Sequence, residues 1–305
     1  MPTTQNSIPE HQNNSESLSL ISGANQLYRA VKRVAVGQIA STVCVPLGFS
    51  IVSLINAAVG PWSALYSLLI ALVDPLLFDK WQKIWKTQAA RLQEQFDCEL
   101  FGLSWNELIC GQPPSAELIH RAANRYRGPS LRDWYPVSVG TLPLVAARLV
   151  CQRSSIAWDS ELRRRYVFAL KIAGAILFAS VLVIAFAINL SLQGFIFSVL
   201  APAVPILQWG VKEVQLQQDS LDRLDRLFAY SDRTWREMLA GIVVGDVLSS
   251  ASRAIQDQLY LHRQSNQAIL ESLYGFLRRN QEHEMQAVAK TLVEAASKNE
   301  SQLER

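Results

Sequence analysis

Two stretches of this chain carry no charged side chain. Val34–Val73 lies between Arg33 and Asp74, Ile172–Val211 lies between Lys171 and Lys212, and each is 40 residues long. A hydrocarbon core about 30 Å thick takes roughly 20 helical residues to cross, so each stretch has room for two spans and a turn. Backbone in lipid must satisfy its own hydrogen bonds, which makes the spans helices. Turn-forming residues divide both stretches near their middles: Asn56 and Gly60-Pro61 in the first, Asn189, Ser191, Gln193 and Gly194 in the second. A soluble helical hairpin of this length keeps charge on its exposed face, and these keep none. The pattern predicts four transmembrane helices in two hairpins.

Outside the two stretches, apolar residues recur at helical spacing. Phe78, Trp81, Trp85, Leu92 and Phe96 extend the second span as one amphipathic helix. Ser104-Trp105-Asn106 and Gly111-Gln112-Pro113-Pro114 read as loop. Ser115 caps a short helix that Gly128-Pro129 ends, Asp133-Trp134-Tyr135-Pro136 forms a turn, and a new helix starts near Pro143. Ser154 or Ser155 then caps a long helix entering the third span, with Asp159–Arg163 and Glu161–Arg165 as i,i+4 pairs. Pro202 and Pro205 predict a kink in the fourth span. Beyond Lys212, one helical stripe runs from Val214 to Leu239, a bend follows at Gly241–Gly245, and a second stripe includes Ile255, Leu259, Ile269, Leu273, Phe276 and Leu277. Residues 1–20, rich in Ser, Asn and Gln, read as disordered.

No run alternates as a strand would, so the expected fold is all-α: an integral membrane protein with a cytoplasmic helical module and C-terminal helices. The divisions are 1–33, the hairpin 34–78, the module 79–166, the hairpin 167–211 and the C-terminal helices 212–305. Charge orients them. Arg29, Lys32 and Arg33 precede the first span, Lys80, Lys83, Lys86 and Arg91 follow the second, Arg163–Arg165 and Lys171 precede the third, and Lys212 follows the fourth. The turns between paired spans have no Lys or Arg. Positive flanks stay inside, which puts both termini and the middle segment in the cytoplasm. No apolar run precedes Val34, so a cleaved signal peptide is not expected.

The chemistry is sparse. Cys44, Cys98, Cys110 and Cys151 lack metal-site spacing and read as reduced thiols; His120 and His262 stand alone, and His283-Glu284 has no second His at zinc-helix spacing. No phosphate-cradling loop or nucleophile elbow is present. We expect no enzyme, no catalytic or metal-ligating residue, and no cofactor. A net charge of +3 is too small and too spread for a nucleic-acid face. In the first span Gln38, Ser41, Thr42, Ser50, Ser53 and Asn56 share about half the helix circumference. Gln38, Thr42, Ser53 and Asn56 are candidates to line a water-filled path in an oligomer; packing between helices through small polar groups is the other reading. Asp74 fits an interfacial position better than a pore charge. Residues 79–171 hold 14 Lys/Arg and 9 Asp/Glu together with many Trp and Tyr. Such a surface suits an anionic, ring-bearing ligand. Positive-inside bias and interfacial aromatics explain the same composition.

Phe96-Asp97-Cys98, Leu103–Asn106, Asp133–Pro136, Ala147–Arg153, Trp158-Asp159 and Leu162–Tyr166 together resemble the S-4TM family, the SMODS-associated four-transmembrane effectors of bacterial CBASS-type anti-phage systems. Ser155 differs from the Asn usual in that pattern. The resemblance implies a bacterial inner-membrane protein, homo-oligomeric, answering a cyclic oligonucleotide made by a neighbouring nucleotidyltransferase. It implies a response that permeabilises the membrane and kills the infected cell. It also makes the middle segment the sensor, with Trp134, Tyr135, Arg148, Gln152, Arg153 and Trp158 as candidate ligand contacts. A membrane-anchored scaffold that does not conduct, and a small channel or transporter, are the alternatives.

Overall fold

The computed structural model describes residues 6–187, 191–266, 269 and 286–296. Among them every regular element is helical. A single turn α1 (Ile8–His11) precedes α2 (Ser15–Ile39), which passes through a π turn at Ala40–Cys44 into α3 (Val45–Ile55). After a 3₁₀ turn at Ala57–Val59, α4 runs from Gly60 to Phe101. The short helices α5 (Glu107–Cys110) and α6 (Ala116–Asn124) lead to α7 (Leu144–Ala187). The last hairpin comprises α8 (Leu192–Phe195), a second π turn at Ile196–Leu200 and α9 (Ala201–Leu239); α10 (Gly245–Ser265) follows. Residues 286–296 are helical as well.

Four helical stretches are long and apolar enough to cross a membrane: Ser15–Ser53, Gly60–Phe101, Leu144–Val183 and Leu192–Leu239. Asn56 ends the first, leaving helical geometry at φ −131°, ψ 98°, and its side-chain oxygen accepts from the Ala58 N–H at 3.1 Å. Ser191 caps the return with its hydroxyl on Gly194 N–H at 3.1 Å. The proline kink takes a definite form: each π turn sits just before a proline at a helix start, Pro46 in the first span and Pro202 in the fourth. A proline has no N–H to give and its ring crowds the carbonyl four residues back, so the turn before it widens. Thr42 and Ser198, four residues before these prolines, are both buried. The fourth span packs on both helices of the first hairpin, and α7 packs on α9.

The helices α2, α4, α7 and α9 run straight through positions 33, 78, 166 and 211, where composition changes. At 1.5 Å per residue the 42 residues of α4 make a rod about 63 Å long, roughly twice the hydrocarbon core. One half of each rod shows aliphatic side chains outward (Leu76 68% and Ile176 62% exposed), as a lipid-facing surface requires. The other half buries the main core, with Leu92, Phe96, Phe101, Leu142, Leu149, Ile156, Leu224 and Ile255 all within it.

Three expectations are corrected. Residues 6–20 are ordered, because their polar side chains bond distant backbone. Asn6 Nδ2 donates to the carbonyls of Val139 and Leu142 at 2.7 Å each, and Gln12 both accepts from Tyr135 N–H at 2.8 Å and donates to its carbonyl. Ser154 and Ser155 cap nothing; α7 is unbroken from Leu144, there being no Gly or Pro to stop it before Gly174. The second C-terminal stripe is not one helix as far as Ile269: α10 ends at Ser265 and Ile269 lies beyond it, while Leu273, Phe276, Leu277 and His283-Glu284 fall outside the described residues. Ser115 does cap α6, accepting from Leu118 N–H at 3.3 Å.

Candidate functional site

Two polar assemblies tie the long helices together, one at each end of their polar halves. Near the spans, Gln38 on α2 donates to Asp74 Oδ1 on α4 at 2.6 Å and accepts from Gln82 Nε2 at 2.7 Å. Lys212 on α9 reaches Asp79 at 2.5 Å and Asp74 at 3.9 Å. Gln38, Asp74 and Gln82 are buried. This cluster joins three of the four spanning stretches at one level, where a charge is held by partners instead of by water.

Further along, α10 is fastened to α4. Asp97 has no exposed surface, and its carboxylate accepts from Arg263 at 2.5 Å, Gln256 at 2.9 Å and the Tyr135 hydroxyl at 2.7 Å. One turn earlier, Glu94 takes Arg253 at 2.6 Å and Gln256 at 2.8 Å. The same helix meets α7: Gln152 Nε2 donates to Ser252 O at 3.0 Å and to Gln256 at 3.1 Å, and Ser252 donates back to Gln152 at 3.0 Å. At its far end His262 Nε2–H donates to Asp159 Oδ2 at 2.5 Å, and Asp159 also holds Arg163 at 3.1 Å. Burial pushes the His262 imidazole below its usual 6.5 in spite of that carboxylate, so it is neutral near pH 7. Buried and unpartnered, such ions would destabilise the fold; paired, they fix the relative positions of α4, α7 and α10.

The sequence-derived ligand candidates are spread through this framework. Tyr135 is buried between Asp97 and Gln12. Arg148 is buried and donates to Phe101 O at 2.5 Å. Arg153 pairs with Asp232 at 2.9 Å and stacks over Phe228 at 4.7 Å. Trp134 packs against the main core, and Trp158 against Leu162, Tyr166 and Ile269. Of the four pore-lining candidates, Gln38, Thr42 and Ser53 are buried inside the chain and Asn56 is exposed at the turn. All four cysteines are free thiols, and no group of His, Cys, Asp or Glu among the described residues could hold a metal.

Residues 6–292 match the SMODS-associating 4TM effector domain. The chain belongs to this family. It is a multi-pass membrane protein with four spanning helices. It is also similar, at 22% identity over 286 residues, to a "Probable CBASS effector molecule" of Bacillus cereus strain VD146; the alignment covers 90% of this chain and 94% of that protein. No solved structure matches.

In this 4TM effector the residues that hold the module together escaped sequence reasoning. Glu94, Gln256 and Arg263 lie in no motif, and the Phe96-Asp97-Cys98 block assigns Asp97 no role. A signal did exist: Glu94 and Asp97, one turn apart, interrupt the Leu92–Phe96 stripe with carboxylates, and Arg253 with Gln256 does the same one turn apart before Leu259. Opposite charges on two apolar faces mark partners. His262, which stood alone in the sequence, is buried and bound to Asp159.

Proposed function

We propose that this protein is the ligand-gated, membrane-disrupting effector of a CBASS-type anti-phage system. It sits in the bacterial inner membrane with both termini and the middle segment in the cytoplasm, where the Lys and Arg flanks of every span favour them. A cyclic oligonucleotide from a neighbouring nucleotidyltransferase binds the cytoplasmic module. The module shifts, copies of the chain assemble, and the permeabilised membrane kills the cell before the phage matures. Family membership and the name of the B. cereus relative support the signalling context.

The observation that carries the gating is the continuity of α4, α7 and α9 between the apolar half and the cross-linked polar half. Displacing the module at one end of such rods moves the spans at the other. A full switch needs the ligand to prefer the active state by about 5.5 kcal/mol, which several charge-assisted bonds to phosphate supply. The test reconstitutes the purified chain in phosphatidylethanolamine–phosphatidylglycerol vesicles loaded with a self-quenched dye. Cyclic di- and trinucleotides are then added one at a time. One of them releases the dye; dye retention with all of them, alongside an intact membrane potential in cells arrested by co-expressed synthase, overturns the proposal.

A further inference from the structure

A cleft of about 420 Å³ opens between α9 and α10. That volume is within the range of small-molecule sites, roughly 300–1,000 Å³. Its polar lining comes from two facing helical stripes: Arg223 and Arg226, one turn apart on α9, and Gln258, His262 and Ser265 on α10. Leu224, Leu227 and Leu261 supply the apolar wall. Both arginines are exposed. Arg223 touches only Ser220 Oγ, at 3.2 Å, and Arg226 has no side-chain partner among the described residues.

His262 supplies the second observation. Its side chain is 4% exposed, its Nε2–H is committed to Asp159, and its buried Nδ1 has no hydrogen-bond partner. In the neutral tautomer that the Asp159 contact selects, Nδ1 is an acceptor. The imidazole forms part of the cleft wall, beside two guanidinium groups that make no ion pair among the described residues. Of the nearby carboxylates, Asp159 is held by Arg163 and Asp225 is engaged with Arg164 at 2.5 Å, while Asp219 and Asp222, one turn before Arg223 and Arg226 on α9, form no ion pair with them among the described residues.

We infer that this cleft is where the effector takes its nucleotide, with phosphodiester oxygens on Arg223 and Arg226 and a ring against the leucines and His262. The inference rests on the nucleotide-sensing reading above and moves the site away from the sequence-derived candidates. Tyr135, Gln152 and Arg153 have their polar groups engaged by the fold itself, and Arg148 is buried with its Nη2 on Phe101 O. The cleft is also placed to transmit binding. One wall is α9, continuous with the fourth span; the other is α10, whose Arg253, Gln256 and Arg263 hold α4.

The test is calorimetric titration of the detergent-purified full chain with cyclic di-AMP, cyclic GMP-AMP and cyclic tri-AMP. The proteins compared are wild type, R223A/R226A, His262→Gln and, as a control, Arg132→Ala, at an exposed arginine outside the cleft. A Gln at 262 keeps a donor for Asp159 while removing Nδ1. Each charge-assisted bond contributes on the order of tenfold in affinity, so R223A/R226A loses about a hundredfold. His262→Gln weakens binding by less, and Arg132→Ala leaves it unchanged. Because both arginines are exposed, the double variant keeps the wild-type melting curve. A nucleotide that wild type and R223A/R226A bind equally well overturns the cleft and leaves nucleotide sensing standing. Wild type binding none of the three overturns both.

Discussion

Polar side chains in the spans mostly return to their own helix, whereas those in the polar half reach across to another. Ser41, Thr42, Ser53, Ser67 and Ser180 each donate to a carbonyl three or four residues back. Among the described residues, Tyr66, bonded to Ser41 O, and the Gln38–Asp74–Gln82 cluster with Lys212 cross between helices around the first hairpin. In the module, Glu94 and Asp97 reach partners more than 150 residues away in the chain. Self-satisfied helices slide past one another at little cost, while cross-bonded ones move as one body. The contrast suits a rigid sensor driving a rearrangeable membrane half.

The comparison is broken most severely at Asp97. Asp97→Ala leaves Arg263, 9% exposed in its side chain, as a buried charge without its carboxylate. Removing one partner of a buried pair costs about 3–5 kcal/mol. Thermal unfolding in detergent checks this: a variant melting within a degree or two of wild type would show that the α4–α10 fastening is not what makes the module rigid. At the inner end of the spans, Gln38→Leu strands Asp74 and Gln82 together and costs about 1–3 kcal/mol. On the gating proposed above, this cluster holds the spans in their resting arrangement and the variant leaks potassium from cells that contain no nucleotide synthase. A tight membrane in those cells removes the cluster from gating.

A milder perturbation uses pH. His262 has its imidazole pushed below 6.5 by burial, so as pH falls the unfolded chain takes up the proton first. The stability that His262 contributes is complete above 6.5 and declines beneath it. Melting temperatures measured from pH 7.5 to 5.5 therefore fall more steeply for wild type than for His262→Gln. Parallel slopes mean that the residue does not titrate on unfolding.

The membrane half was legible from sequence because lipid imposes a rule of composition: forty residues without charge admit few structures. Local devices were legible for the same kind of reason, Ser115 as a cap and Pro143 just before α7 being written in adjacent residues. What stayed hidden depends on distance. Asn6, Gln12 and Asn13 look like a disordered polar tail until the backbone around 133–142 is there to receive them. The same blindness affected the site. Arg148 and Tyr135 were chosen by type, and type does not reveal that the Phe101 carbonyl and Asp97 engage them. Arg223 and Arg226 were equally visible, but only the packing of α10 on α9 gives them a cleft.

The smallest expected effect sharpens the contrast most. Thr42 is 1% exposed, inside the π turn that accommodates Pro46, and its hydroxyl donates to Gln38 O at 2.7 Å. Burial and a short bond would ordinarily mark an anchor. Yet the bond is local, and the Gln38 carbonyl it caps belongs to the same helix. Thr42→Val keeps the shape and removes only that bond, at about 0.6 kcal/mol, the average for side-chain hydrogen bonds among membrane helices. Its melting temperature in detergent should fall much less than that of Gln38→Leu, whose lost bonds run between helices. If the two variants lose equal stability, the spans are held by their local bonds as firmly as by the cluster, and the picture of a loosely coupled membrane half fails.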